Sequence, residues 1–491
     1  MTTTSLKTTT NSVKTSFATL RAVGALASLA ALAACNSDQL VLTNPNSPTV
    51  EAAAADPQAL QLQANGLLRQ LRNGRGTFVS NVGIFGRESY NYTPQEGRNT
   101  SAYLIGISGA NKLDPAGFAV GNWATQYGNL RDIFNFKNSA TASGALSAEQ
   151  KSAALGFART LEGLELLYVL STRDTLGLVV EIKQDASDLA AFVSRDSAYK
   201  YIIATLDDGA AKLAAGGSAF PFTMHTGFSG FNTPSTFRQF NRAIAARANA
   251  YYATSGGGAA AWQAALTALT ASFMNTNATT RAALDVGPSH PFSTASGDAN
   301  NPLNSVTNTD LYAHMSFQTD VQMKADGTTP DDRFTTKLGT RPSRTAPQGL
   351  GIASTLGFNM YPTTASSMPI VRNEELLLLR AEALLATGDK AGAVAIINQI
   401  RQVSGGLPAS TLTTASTDAA VLTELLYNKR YSLMLEGHRW IDMRRYGRLN
   451  QLPLDITTGT NAHFVAKVMP IPQAECLVRA GKTGNLAGPG C

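Results

Sequence analysis

Apolar side chains recur every three or four residues through most of the chain, which is the spacing of helices with one buried face. The first such stretch begins at Asp56-Pro57, where a capping residue precedes a proline suited to the first helical position. That helix is expected to end at Gly74, since Asn-Gly is a turn signal. Further helices are predicted around 123–134, 147–170, 195–213, 236–253 and 259–273.

The stretch RNEELLLLRAEALLATGDK and the residues after it predict two more helices joined by a short turn. Asn373 is suited to cap the first helix, and Glu374 and Glu375 in its first turn would complement the helix dipole. Gly388 ends that helix, and Asp389 begins the next one, whose apolar face again has helical spacing. A helical hairpin with small residues ahead of a Gly-Asp turn has the shape of a tetratricopeptide unit.

A distinctive motif follows a third C-terminal helix, which begins near Thr417. This motif, LEGHRWIDMRRYG, together with RNEELLLLRAEA, the GD turn and INQIR upstream, resembles the C-terminal signature of the SusD/RagB family. The resemblance covers most of the chain and is sharp over about 300–491. Lys429 and Ser432 depart from it, because the family usually has Glu at both positions.

The resemblance implies a mainly α fold, in which tetratricopeptide-like helical hairpins form a scaffold with long loops and a few short strands. It also implies a lipid-anchored protein of an outer membrane, facing the cell exterior. Such a protein would capture oligosaccharide and act as a lid and delivery partner of a SusC-like TonB-dependent transporter. The alternatives are a peptide-binding uptake lipoprotein of the RagB type, a lipid-anchored hydrolase, and a helical-repeat scaffold without a small ligand.

Charged residues in this region have a structural explanation. An unpaired charge beside apolar helical positions would be costly to bury. We therefore expect these charges to pair with each other or to cap helices, and not to contact a ligand. They are Glu382, Arg401, Glu436, Arg439 and Asp442.

The N-terminal residues predict a targeting peptide. Lys7, Lys14 and Arg21 precede and flank an apolar run at 22–33, which is too short to span a bilayer. The whole chain has a net charge of +6, and removal of these three cations leaves about 6 − 3 = +3. With no basic run elsewhere, the composition argues against a nucleic-acid partner.

The sequence LAAC at 32–35 resembles the lipobox of bacterial lipoproteins, in which the peptide is cut before an acylated cysteine. Residues 1–34 would then be the signal peptide, and several acyl chains would hold Cys35 in the membrane. Residues 35–55 would form a tether, and residues 56–491 the SusD-like body. The alternative is an ordinary secretory peptide with an incidental Cys35.

Long polar loops are predicted at 74–120, 216–235 and 275–369, and loops of this length are often functional. Within the first, 78–103 places aromatic rings beside amides and charged groups, which suits a carbohydrate surface. The alternative is a buried satellite cluster beneath the loop. The phenylalanine-rich segment 220–231 has few polar partners and is interpreted as packing. The predicted ligand-binding residues are Phe85, Arg87, Tyr90, Asn91 and Tyr92.

Signals of catalysis are poor. The five histidines are scattered without metal-ligand spacing, and the sequence has no G-x-S-x-G nucleophile elbow. We therefore predict no catalytic residue, metal site or cofactor, although a glycosidase carboxylate pair stays open. Cys476 and Cys491 are the thiols besides Cys35, and in an oxidising exported compartment we expect them to be bonded.

Overall fold

The computed structural model describes Thr2 and residues 57–107, 113–185, 187–347 and 350–491. The rest of the predicted leader and tether, Cys35 included, lies outside the described residues. No helix within these ranges is both long and apolar enough to cross a membrane.

The described residues form a mainly α fold, as the sequence predicts. Several helices begin at residues whose side chains cap them: Ser147 and Thr233 form capping boxes, and Asp389 and Thr417 each accept a backbone N–H. The helices are α1 (Pro57–Phe85), α2 (Arg98–Leu104), α3 (Ala124–Ala142), α4 (Ala148–Arg173), α5 (Arg195–Ala214), α6 (Pro234–Tyr252), α7 (Gly258–Thr270), α8 (Arg281–Leu284), α9 (Ser316–Thr319), α10 (Asp332–Lys337), α11 (Asn373–Ala386), α12 (Lys390–Gly405), α13 (Asp418–Ser432), α14 (Arg439–Arg445) and α15 (Gln473–Val478).

The long helices pack in consecutive pairs. Helix α1 packs against α3, α4 against α5, α6 against α7, and α11 against α12. Successive pairs contact each other through α3 with α4, α5 with α6, and α7 with α11. Each pair therefore buries apolar surface against the next, which is the helical-hairpin scaffold that the sequence predicts.

Short strands lie between the helices, and most of them come from the predicted loop 275–369. The largest sheet has the order β1-β5-β7-β6, with antiparallel neighbours and Tyr90 opposite Tyr312. Two further antiparallel pairs join β2 with β3 and β4 with β8. The strands are β1 (Ser89–Asn91), β2 (Leu178–Val179), β3 (Phe192–Val193), β4 (Ser289–His290), β5 (Leu311–Ala313), β6 (Leu338–Thr345), β7 (Ala353–Phe358) and β8 (Met368–Pro369).

Helix α1 is longer than predicted, because it continues through Gly74 to Phe85. Gly74 and Gly76, in its additional turns, lie where other segments approach the helix. A Cβ on Gly76 would lie 2.5 Å from Pro302 Cγ, and one on Gly74 would lie 2.6 Å from Gln126 Nε2. The apolar residues of the additional turns are buried, and this packing outweighs the cost of about 1 kcal/mol for a helical glycine.

The start of α11 also differs from its prediction. Arg372 occupies the N-cap position, and Asn373 is the first helical residue. The Asn373 amide donates to the carbonyls of Asn275 and Ala283, so it fixes the helix to a preceding loop. The two glutamates of the first turn are buried and ion-paired, so their main partners are arginines and not the helix dipole.

A buried ion cluster joins α11, α13 and α14. Glu382 and Asp442 each contact both Lys429 and Arg445. Two carboxylates are thus balanced by two cations, which offsets the cost of burial. Lys429, a departure from the family pattern, supplies one of these cations.

The remaining motif charges also have partners, so the prediction of structural roles is confirmed. Ser432, the second departure, donates to a buried carboxylate oxygen of Glu374 at 2.6 Å. Arg401 pairs with Glu424, Glu436 pairs with Arg372, and Arg439 donates to the Gly86 carbonyl at the end of α1.

A disulfide joins Cys476 to Cys491 in the structure, with 5.5 Å between their Cα atoms. Arg479, between the two cysteines, donates to the carbonyls of Ala190 and Leu486. The bond and these contacts fix the C-terminal tail against the loop that precedes β3.

Candidate functional site

The residues predicted to bind ligand lie at the C-terminal end of α1 and in the adjoining β1. Phe85 and Arg87 are 0% exposed, Tyr90 is 1% exposed and Tyr92 is 2% exposed, while Asn91 is half-buried. The expectation of an exposed stacking ring at Tyr90 or Tyr92 is therefore wrong. The alternative interpretation, a packed cluster beneath the surface, describes their placement.

These buried groups fix a loop from the C-terminal part of the chain. Arg87 donates to the carbonyls of Pro453 and Phe464, at 3.1 and 2.7 Å. The Tyr90 hydroxyl donates to Asp455 Oδ2 at 2.8 Å. Burial raises the pKa of Tyr90 well above its ordinary value, so the hydroxyl remains a donor.

The phenylalanine-rich segment 220–231 packs into the core, as predicted. The ring centroids of Phe220 and Phe222 are 5.2 Å apart, and Phe222 lies 5.0 Å from Phe157 of α4. Such contacts between buried rings stabilise the fold and leave no ring face for a ligand.

An open cavity of about 440 Å³ lies beside α2 and the short turn Phe118–Val120. Phe118 is 40% exposed, and within the described part of the chain it is the only exposed large aromatic side chain. The Tyr103 hydroxyl fixes this turn, because its single proton is shared between two acceptors, the Phe118 carbonyl at 3.0 Å and Asn81 Oδ1 at 2.8 Å. The polar side chains that line this Phe118 cavity are Arg98, Ser101 and Asp114.

Arg98 lies over the Phe118 ring. Its guanidinium carbon is 4.9 Å from the ring centroid, in the range of a cation–π contact. Its Nε and Nη2 donate to the two carboxylate oxygens of Glu96, at 2.7 and 2.5 Å. These hydrogen bonds lower the pKa of Glu96 and raise the pKa of Arg98. The guanidinium is therefore held in one orientation above the ring.

Asp114 lies on another wall of the cavity. Its Oδ1 accepts the backbone N–H of Ala116 at 2.9 Å, which forms a tight turn. A Cβ on Gly117 would lie 3.2 Å from Asp114 Oδ2, so glycine allows this close approach. The turn thus places a carboxylate and the Phe118 ring on the same cavity. The exposed part of an aromatic ring can contact a sugar ring, while the polar side chains beside it can bond the sugar hydroxyls.

A second open cavity of about 490 Å³ adjoins the first through Ile107. Most of its lining is apolar, and we name it the apolar groove. Several backbone groups along its floor are already hydrogen-bonded within the chain. Phe464 N–H donates to Leu104 O, and Ala466 O accepts from the Trp440 indole.

Groups with catalytic potential lie outside both cavities. Among the described residues, no group of three or more His, Cys, Asp or Glu side chains could hold a metal ion. The neighbouring carboxylates Glu382 and Asp442 are buried and ion-paired. His314 contacts both Ser316 and Asp455, but none of the three lines the Phe118 cavity or the apolar groove.

Sequence reasoning does not single out Phe118. A signal for it exists, because no apolar residue lies three or four positions away on either side. The sequence therefore does not place this phenylalanine on the buried face of a helix. An isolated phenylalanine in a glycine-rich loop is a better indicator of exposure than the tyrosine cluster at 90–92, which alternates along a strand.

Residues 269–478 match the model of the SusD family. The fold is similar to surface glycan-binding protein A from Bacteroides thetaiotaomicron, with a TM-score of 0.64 and 11% identity over 88% of this chain and 99% of that chain. Surface glycan-binding protein A from Bacteroides fluxus has a similar fold, with a TM-score of 0.63 and 14% identity over 89% of this chain and 100% of that chain. A SusD superfamily protein from Bacteroides vulgatus is also similar, with a TM-score of 0.63 and 15% identity over 88% of this chain and 99% of that chain. No curated protein sequence matches this chain.

Proposed function

Because the chain is a SusD-like protein, we propose that it is a cell-surface glycan-binding protein that captures oligosaccharide in the Phe118 cavity. It is held at the outer membrane by lipid on Cys35 and faces the cell exterior. It acts by binding, without catalysis, and delivers its ligand to a SusC-like TonB-dependent transporter.

The exposed Phe118 ring at the cavity is the observation on which this proposal depends. The cavity volume of about 440 Å³ is within the range of ~300–1,000 Å³ for small-ligand sites. Arg98, Ser101 and Asp114 supply donors and acceptors around the ring. Two proteins with the same fold are surface glycan-binding proteins, which supports a glycan as the ligand.

The alternatives have less support. An extended peptide binds by strand addition when a cleft offers unpaired backbone groups, and the Phe464 N–H and the Ala466 carbonyl in the apolar groove are already paired. A hydrolase would need carboxylates that reach a substrate. Glu382 and Asp442 are buried and neutralised by cations.

Replacement of Phe118 by Ala tests the proposal. A polysaccharide array would first identify an oligosaccharide that the native chain binds. Phe118→Ala should then weaken binding of that oligosaccharide by about 1–2 kcal/mol, the order expected for an aromatic anchor, in a calorimetric titration. The melting temperature should change little, because the ring is exposed and contributes little to the core.

Phe134→Ala is a matched control. Phe134 also lies under an arginine, with Arg131 at 5.4 Å from its centroid, but it does not line the cavity. This variant should keep the native affinity. Equal affinity of Phe118→Ala and the native chain would exclude Phe118 as the platform, and a lower melting temperature with intact binding would assign it to packing.

A further inference from the structure

We infer that the Phe118 cavity selects neutral glycans and discriminates against glycans that contain carboxylate groups, such as uronic acids. The inference rests on the proposed function and extends it, because it names the class of sugar that the same site takes.

The cation at the site is already neutralised. Among the described residues that line the cavity, Arg98 has the one basic side chain. Its Nε and Nη2 form a two-point contact with Glu96, which is the geometry that a sugar carboxylate would otherwise use. One side of the guanidinium faces the Phe118 ring. An acidic sugar would have to displace Glu96 to gain an equivalent ion pair.

Asp114 adds an unbalanced negative charge. Its described hydrogen bond comes from the Ala116 N–H, and no described lysine or arginine forms an ion pair with it. Among the described side chains at the site, the formal charges of Arg98, Glu96 and Asp114 sum to +1 − 1 − 1 = −1. A sugar carboxylate bound over Phe118 would therefore meet a site of its own sign.

A neutral sugar meets no such penalty. Its hydroxyls can donate to Asp114 and accept from Arg98 Nη1, for which no hydrogen bond to Glu96 exists. The charges are exposed, with Arg98 63% exposed, so their repulsion of an acidic ligand should be modest and screened by salt. A difference of about fivefold in Kd is the expected scale for exposed charges in water.

Matched polysaccharides provide the test. Each neutral polysaccharide of a panel is compared with a copy whose primary hydroxyl groups have been oxidised to carboxylates. Isothermal titration of the full chain should give about fivefold weaker binding of the oxidised copy at low salt, and the ratio should approach one as salt is raised to roughly 1 M.

Charge-neutralising variants identify the cause. Asp114→Asn keeps an amide oxygen for the Ala116 N–H, and Glu96→Gln releases Arg98 to pair with a ligand. Each variant should improve binding of the oxidised polysaccharide relative to binding of the neutral one, so that the ratio of the two Kd values falls towards one.

The outcomes separate this inference from the function beneath it. Binding of oxidised polysaccharide as tight as that of the neutral form overturns the selectivity and leaves glycan capture standing. Discrimination that persists in the Asp114→Asn, Glu96→Gln double variant also overturns it, because its cause would not be these charges. Failure of the native chain to bind any polysaccharide of the panel overturns glycan capture itself.

Discussion

At the scale of single residues, buried charges depend on individual partners. Arg247 of α6 and Glu375 of α11 pair at 2.6 Å with side chains only 4% and 1% exposed. Burial by itself would raise the pKa of Glu375, but the Arg247 cation and, to a smaller extent, His438 hold it at about 2. Because this value is below the ordinary 4.5, the pair stabilises the fold above that pH and loses its contribution as the pH falls towards 2.

Glu375→Gln should lower the free energy of unfolding at pH 7 by about 3 kcal/mol, since it leaves the Arg247 cation buried without a counter-charge. The difference from the native chain should shrink as the pH approaches about 2, where Glu375 itself becomes protonated. Denaturant unfolding of the variant and the native chain, at pH 7 and near pH 2, measures this difference in the free energy of unfolding. Glu181→Gln, which removes an exposed partner of Lys183, is the control and should have a much smaller effect. A constant difference at all pH values would contradict the assigned titration.

The sequence predicts the roles of such residues better than their partners. That Glu382 and Asp442 would be paired follows from the cost of burying a lone carboxylate. That Lys429 and Arg445 would be the partners does not follow, because the packing of α11 against α13 and α14 decides it. Asn373 is the opposite case: it has the properties of a cap, and two backbone carbonyls of another segment bind its amide instead.

At the scale of elements, contacts between helices decide where glycine is required. In α4, a Cβ on Gly156 would lie 2.9 Å from the carbonyl of Gly209 and 2.7 Å from Leu213 Cγ, both in α5. In α3, a Cβ on Gly128 would have nothing within 4 Å. The same substitution should therefore have opposite effects at the two sites.

Gly156→Ala should destabilise the chain by about 1–3 kcal/mol, because the backbone of α5 must move to admit the methyl group. Gly128→Ala should stabilise it by up to about 1 kcal/mol, because alanine has the higher helix propensity on an exposed face. Thermal and denaturant unfolding of both variants provide the comparison. Stabilisation by Gly156→Ala would show that α4 and α5 are not packed as closely as described.

Element boundaries expose the limit of periodicity. The spacing of leucines predicts α1 correctly from Pro57, but a glycine inside the helix has the same sequence signature as one beyond its end. The approach of Pro302 to Gly76 distinguishes the two, and it is a contact between residues far apart in sequence. The same reason applies to Tyr90 and Tyr92, whose burial depends on β5 and on the loop that contains Asp455.

At the scale of the whole molecule, the length of α1 separates Pro57, where the described body begins, from the residues that fix the Phe118 turn. The described body begins at Pro57, whereas Tyr103, which fixes the Phe118 turn, contacts Asn81 near the other end of α1. With a rise of 1.5 Å per residue, these 24 helical residues extend for roughly 36 Å. The N-terminal end of α1 and the residues that fix the Phe118 turn thus lie at opposite ends of this helix.

Membrane attachment through Cys35 is predicted from the LAAC sequence at 32–35 and the apolar run before it. Cys35→Ala should move the protein from detergent-requiring membrane fractions into soluble ones, because the variant lacks the thiol and the N-terminal cysteine that the proposed acyl chains would modify. Cys476→Ala removes the tail disulfide but not the anchor, so it should stay with the membrane. Fractionation and immunoblotting compare the two variants. Retention of Cys35→Ala in the membrane would remove the lipobox interpretation, since the acyl chains on Cys35 would no longer be needed to hold the protein there.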